Sequence, residues 1–402
     1  MKIGLLGAYG IDNTGDNLIA LATKHAVEEL VNDAEITIFY PNFSKLFGNR
    51  RGDIVADGWK KVDMMSRGFW EEVSEYQALI IGGGGILLPV PEFEPFLLYG
   101  SQIDHSLLPK TAWNAIGTQW IPLAKPKISE WYKKLRTATQ LLDYVSVRSA
   151  TTYRILTHAE CPMEKVNLVP DPVINLKFND SEKVRASLLD KFPIDKNKQI
   201  IGVSIGPELT KPPLKDFMID LARALNYLQK VVHRNIQIVI FPFGLMYGDS
   251  QACLQLAELC PDSILLKDVT EAKEIWELVG LMDVYLTVRL HGIVAALSHG
   301  IPALALDCYL ANDTAGSKLR DFMWESELES YYLSPIISIC GDPQMRSFTG
   351  TLGARNTYKD ILRRIEELLI PENRTIWEKV SQKRKEEIKD YIKDMVGFLD
   401  LI

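Results

Sequence analysis

Short, nearly continuous apolar runs alternate along the chain with longer stretches whose apolar positions fall at helical spacing. In the first half the short runs are KIGLLGA, EITIFY, ALIIGG, TAWNAIG, YVSVRS and VNLVPD, and each reads as a β-strand. Between them LIALATKHAVEEL, FWEEVSEY, ISEWYKKLRTATQLL and TTYRILTHA read as amphipathic helices. A polar stretch, NDSEKVRASLLDKFPIDKNKQ, interrupts the pattern, which restarts with the strand IIGVSIG and the helix FMIDLARALNYLQKVV. IQIVIFPFG, SILLKDV, EIWELVGLM, VYLTVR, HGIVAALSHG and PALALD complete this second set. Strands that are apolar without alternation are those of a parallel sheet covered on both faces. Strand–helix alternation implies right-handed crossovers. The pattern therefore predicts an α/β chain of two Rossmann-like domains facing a central cleft, with a C-terminal helical tail. The domains are expected over residues 1–178 and 196–345, and the helices over 355–402 are expected to pack back on the body.

Composition changes this picture little. At 402 residues the chain is too long for one ordinary core. A net charge of −7 leaves no footprint for nucleic acid. Its five cysteines are scattered and none forms a C-x-x-C pair, so neither a zinc knuckle nor a disulfide framework is indicated. A reducing compartment fits that usage. MKIGLLGAYG lacks the shape of a signal peptide. The apolar stretch GIVAALSHGIPALALDCYLA is broken by Ser298, His299, Pro302 and Asp307, so it reads as a buried helix, turn and strand. The expected location is cytoplasmic.

Candidate chemistry gathers where strands end. GAYGIDNTGDN follows the first strand and enters the first helix, with Gly7, Gly10 and Gly15 in a loop like that of a phosphate site. Yet Asp16 stands where a nucleotide-triphosphate loop carries lysine. A carboxylate there suits sugar hydroxyls, as acceptor or general base; helix capping by Asn13, Thr14 or Asp16 is the plainer reading. Four consecutive glycines in LIIGGGGILL, among them Gly83 and Gly84, mean either a ligand-hugging turn or close strand–helix packing. Arg148, ending YVSVR, is a ligand contact or a solvated cap. In TVRLHG, Arg289 offers planar, bidentate recognition of carboxylate or phosphate. His291, two residues on beside a helix start, is a proton donor of the type that titrates near neutral pH. The other histidines, His25, His105, His158, His233 and His299, read as structural. Lys318 lies beyond PALALD, again past a strand's carboxyl end. No zinc or EF-hand spacing appears.

The ordered set GAYGIDNTGDN, LIIGGGG, WNAIGTQ, YVSVRSATTYRIL, LVPDP, GVSIGP and LTVRLHGIVAALSHGIPALALD resembles the polysaccharide pyruvyl transferase family over roughly residues 1 to 325. The resemblance implies a fold like that of type-B glycosyltransferases, and transfer of the enolpyruvyl unit of phosphoenolpyruvate to a sugar as a cyclic ketal, with release of phosphate. It implies that Arg148, Arg289 and His291 are catalytic or donor-binding and that Asp16 lines the active cleft; His291 is then the candidate catalytic acid and Asp16 the candidate base. Substrate contacts fall to Arg148, Lys318, Gly10, Asn13, Gly15, Asn17, Gly83 and Gly84. The first domain then takes the acceptor and the second the donor. No cofactor is required beyond phosphoenolpyruvate as co-substrate; a divalent metal is open but not indicated. The implied acceptor is a glycan or a lipid- or nucleotide-linked sugar of cell-envelope polysaccharide synthesis. A lipid-linked one would bring peripheral association with the inner membrane face. The chain departs from the family's usual pattern at Ser149 and Asn17, where acidic residues are customary, and in the stretched segment LDCYLANDTAGSK. A nucleotide-sugar-dependent glycosyltransferase and a non-catalytic sugar-binding relative are the alternatives.

Overall fold

The computed structural model describes residues 1–10, 13–41, 59–118, 125–212, 214–232, 235–244, 248–308, 317–334 and 357–402. The chain divides into two compact units, one of Met1–Leu176 with Arg384–Ile402 and the other of Lys177–Lys383. Each holds one parallel sheet, as the apolar runs predict.

In the first unit the strands are β1 (Lys2–Leu6), β2 (Glu35–Pro41), β3 (Trp59–Val62), β4 (Ala78–Gly82), β5 (Lys110–Ile116), β6 (Tyr144–Val147) and β7 (Val166–Leu168). Their order across the sheet is β3-β2-β1-β4-β5-β6-β7. The fully apolar strands sit centrally: Leu79, Ile80 and Ile81 of β4 are buried and pair with β1 on one side and β5 on the other. The second unit contains β8 (Gln199–Ser204), β9 (Ile236–Ile240), β10 (Ile264–Leu265), β11 (Val284–Thr287), β12 (Ala303–Leu306) and β13 (Tyr332–Leu333), in the order β10-β9-β8-β11-β12-β13. Both orders reverse direction once, between β1 and β4 and between β8 and β11. In open sheets of this kind ligands bind outside the carboxyl ends of the strands at such a reversal.

One segment differs from the sequence reading. The polar interruption contains a helix, Ser181–Lys191, which lies against the helix Ala272–Val279 in the second unit. It is fastened by polar bonds rather than an apolar stripe: Glu277 accepts from Arg185 Nε and Ser181 Oγ at 2.6 Å each. In the tail, the helix Tyr358–Leu368 packs on the helix Lys215–Tyr227 within the second unit. The final helix, Pro371–Phe398, begins in the second unit and continues into residues that belong to the first.

Candidate functional site

In the first unit the loops after β1, β4, β5 and β6 bring several of the expected residues together. Asn13 is the N-cap of the helix Thr14–Leu30, but its side chain makes no capping bond. Its Nδ2 instead donates to Asp16 Oδ2 at 2.6 Å. Asn17 Oδ1 accepts from the Gly10 N–H at 2.8 Å, tying the loop to the helix's first turn, where Gly15 is also buried. Gly84 faces Asp16: a Cβ there would lie 2.6 Å from Oδ1, and its φ of +76° is strained for any other residue. Gly83 precedes it against Ile19. From Gly84 the contacts continue to Arg148. The Gly84 carbonyl accepts from Gly117 N–H at 2.8 Å, and a Cβ at Gly117 would lie 3.4 Å from Arg148 Nε.

Arg148 is no solvated cap. Its Nη1 donates to Asp171 at 2.5 Å, with the two side chains only 5% and 2% exposed. Tyr9, fully buried, donates to the Gly82 carbonyl at 2.8 Å. Burial pushes its hydroxyl well above the usual range; the charge of Asp16 adds to the rise and that of Arg148 opposes it. One phenol thus feels both charged residues. Tyr9, Gly117 and Asp171 were not singled out in the sequence, although each lies within or beside a motif that was.

The second unit places Arg289 and His291 at the carboxyl end of β11, flanking the reversal. Arg289 is the N-cap of the helix Leu290–His299, and His291 lies buried in that helix's first turn. The fork of Arg289 meets protein carboxylates. Nε donates to Asp249 Oδ2 at 2.9 Å and Nη2 donates to Asp249 Oδ1, while Nη1 donates to Glu208 Oε1 at 3.1 Å. Asp249 is fully buried, which pushes its carboxyl up; hydrogen bonds from Arg289 and the Gly244 backbone pull it down, and Glu208's charge adds to the rise. Gly206 makes room for the cluster, since a Cβ there would stand 2.5 Å from Arg289 Nη2. Cys308, past β12, feels the charges of Asp307, Glu208 and Arg289, and burial pushes its thiol well up. Lys318 opens the helix Lys318–Glu325, half-buried, with Ser317 capping that helix.

Gly206, Glu208 and Asp249 escaped the sequence reading. Glu208 follows β8 in IGPE and Asp249 begins the helix after β9, so position past a strand end was the available signal. Ile11 and Asp12, Gln119, His233, Cys340 and residues 309–316 of the stretched segment lie outside the described residues. Among the described residues no three His, Cys, Asp or Glu side chains group as a metal site, and no helix is long and apolar enough to cross a membrane.

Residues 13–308, more than half of the chain, match the model of the polysaccharide pyruvyl transferase family. The chain belongs to that family. As a polysaccharide pyruvyl transferase it is a transferase of polysaccharide biosynthesis, and its two parallel sheets are those of the type-B glycosyltransferase-like fold. The structure is similar to UDP-GlcNAc 2-epimerase from Neisseria meningitidis, solved bound to UDP-GlcNAc, at 12% identity over 99% of both chains with a TM-score of 0.59. It is also similar to Anabaena HepE, solved in complex with UDP and glucose, at 11% identity over 99% of this chain and 98% of that one, with a TM-score of 0.56. UDP-GlcNAc 2-epimerase from Methanocaldococcus jannaschii matches at 10% identity over 95% and 99% of the two chains, with a TM-score of 0.55. At such identities the likeness is one of fold alone. No curated protein matches the chain by sequence.

Proposed function

We propose that this pyruvyl transferase moves the enolpyruvyl group of phosphoenolpyruvate onto two hydroxyls of a sugar, forming a cyclic ketal and releasing phosphate. The observation that carries the reading is the Arg289–His291 turn, past β11 at the reversal of the second sheet, in a chain matched to the family over 13–308. An arginine suits the donor's carboxylate or phosphate. His291 delivers a proton to the methylene carbon, leaving an oxocarbenium-like centre that one hydroxyl attacks. A second hydroxyl then displaces phosphate. Of the two hydroxyl protons, one balances the proton taken up by the methyl group and the other leaves with phosphate. Asp16 takes a hydroxyl proton, with Asn13 fixing one of its oxygens. Asn17, Gly10, Gly15, Gly83 and Gly84 serve the sugar, and Arg148 and Lys318 the donor.

No cofactor enters these steps. The acceptor is a glycan or a lipid- or nucleotide-linked sugar, and the last of these suits a fold whose solved neighbours include proteins bound to UDP. The test follows phosphate release when the full chain is given phosphoenolpyruvate and a panel of nucleotide- and lipid-linked sugars. In deuterated water the ketal methyl should carry deuterium. His291→Gln should lose at least about 10²-fold in kcat with little change in KM, the pattern of a proton transfer made only in the transition state. Nucleotide released from a sugar nucleotide without consumption of phosphoenolpyruvate would replace the reading with glycosyl transfer.

A further inference from the structure

Among the described residues Arg289 holds the carboxylates of Asp249 and Glu208, which differ greatly in standing. Asp249 takes both Nε and Nη2, is fully buried, begins the helix Asp249–Leu259, and accepts a further bond from the Gly244 backbone. Glu208 takes only Nη1, at 3.1 Å, from the four-residue turn Pro207–Thr210. Its side chain is 21% exposed, yet its second oxygen, Oε2, is buried with no hydrogen-bond partner among the described residues. A buried carboxylate oxygen without a donor is costly. The weakly held, half-satisfied member stands at the reversal between β8 and β11, where ligands of such sheets bind.

We propose that Asp249 is the fixed positioning residue of Arg289 and that Glu208 is an internal stand-in, displaced when a carboxylate or phosphate of the substrate takes its place on Nη1. Asp249 holds the guanidinium plane through Nε and Nη2, and Nη1 is directed to the exchange position. Glu208 reaches solvent from its short turn without unmaking a helix or strand. Gly206, bare of a side chain, leaves room for the docked carboxylate: a Cβ there would stand 2.1 Å from Glu208 Oε2 and 2.5 Å from Arg289 Nη2. While Glu208 is docked the site is closed to an outside anion, so the apparent affinity is lowered by the fraction of molecules in the docked state. The exchange rests on the donor assignment above only for the identity of the anion.

The test measures equilibrium binding of phosphoenolpyruvate and, separately, of inorganic phosphate to the full chain and three variants. Glu208→Gln keeps the shape and removes the competing charge, and should bind either anion about tenfold more tightly. Glu208→Asp should return affinity toward the parent value. Asp249→Asn should weaken binding about tenfold by releasing the guanidinium plane, with circular dichroism unchanged. Unchanged or weaker binding by Glu208→Gln would overturn the exchange, as would a parent chain that binds neither anion. If inorganic phosphate follows the expected ranking while phosphoenolpyruvate binds nowhere, the exchange stands and the donor assignment fails. If phosphoenolpyruvate is turned over but Glu208→Gln leaves its affinity unchanged, the donor assignment stands and the exchange fails.

Discussion

Arg148 and Asp171 form an ion pair with almost no access to water, and Asp171 Oδ1 also accepts from the Val173 N–H at 3.1 Å. Removing one partner of such a pair strands the other charge, at about 3–5 kcal/mol, whereas replacing both with apolar residues is often neutral or better. Arg148→Met should therefore lower unfolding stability by about that amount, and Arg148→Met with Asp171→Leu should regain most of it. Urea unfolding of both variants decides this, and a double variant as weak as the single would show that the pair is not the source. Activity lost by Arg148→Met alone would not separate a substrate contact from a stranded carboxylate. The sequence made Arg148 visible because it ends an apolar strand, but its partner was hidden by folding. The same holds for Arg289, two of whose side-chain partners lie 40 and 81 residues away along the chain. Local spacing reveals a residue that stands at a strand's end; it cannot reveal which distant carboxylate the sheet order delivers to it.

Elements were legible in proportion to their burial. Strands such as β4, β5 and β9 are apolar because both faces are covered, and their runs are plain in the chain. The strand β3 (WKKV) was not, because it is a sheet edge whose Lys60 and Lys61 face water, as edge strands commonly do. The helices Ser181–Lys191 and Asp249–Leu259 were also missed. The first buries only Leu188 and the second four residues, so neither shows a broad apolar stripe. The final helix was legible, yet it contains a group its pattern does not explain. Tyr391 is buried on that helix and its hydroxyl has no hydrogen-bond partner among the described residues; burial pushes it well up, with Asp171 adding to the rise. A buried hydroxyl without a partner costs about 1–3 kcal/mol. Tyr391→Phe, which keeps the ring, should raise stability by about 1 kcal/mol, read as a higher urea midpoint at unchanged slope. A fall in the midpoint would mean that the hydroxyl is held by an ordered water.

At the scale of the whole molecule, buried thiols set a limit on alkaline stability. Cys253 and Cys260, both fully buried in the second unit, have their thiols pushed up to about 12 by burial. A raised folded-state value means that the stability is fully present below the unfolded value and is lost as pH climbs toward the folded one. Each thiol should cost about 1.4 kcal/mol between pH 8 and pH 10, because only the unfolded chain ionises there. Cys253→Ala should reduce the difference in urea stability between those two pH values by about that amount, and an unaltered difference would refute the linkage. A last consequence follows from the helix Pro371–Phe398, whose later residues belong to the first unit. Phe398 lies 5.6 Å from the Tyr144 ring, and Met395, Val396, Leu399 and Leu401 are buried there. On the ribosome, where chains emerge from the N-terminus and domains ordinarily fold in that order, the second unit therefore has its whole sequence available before the first does. The unit that is begun first is finished last.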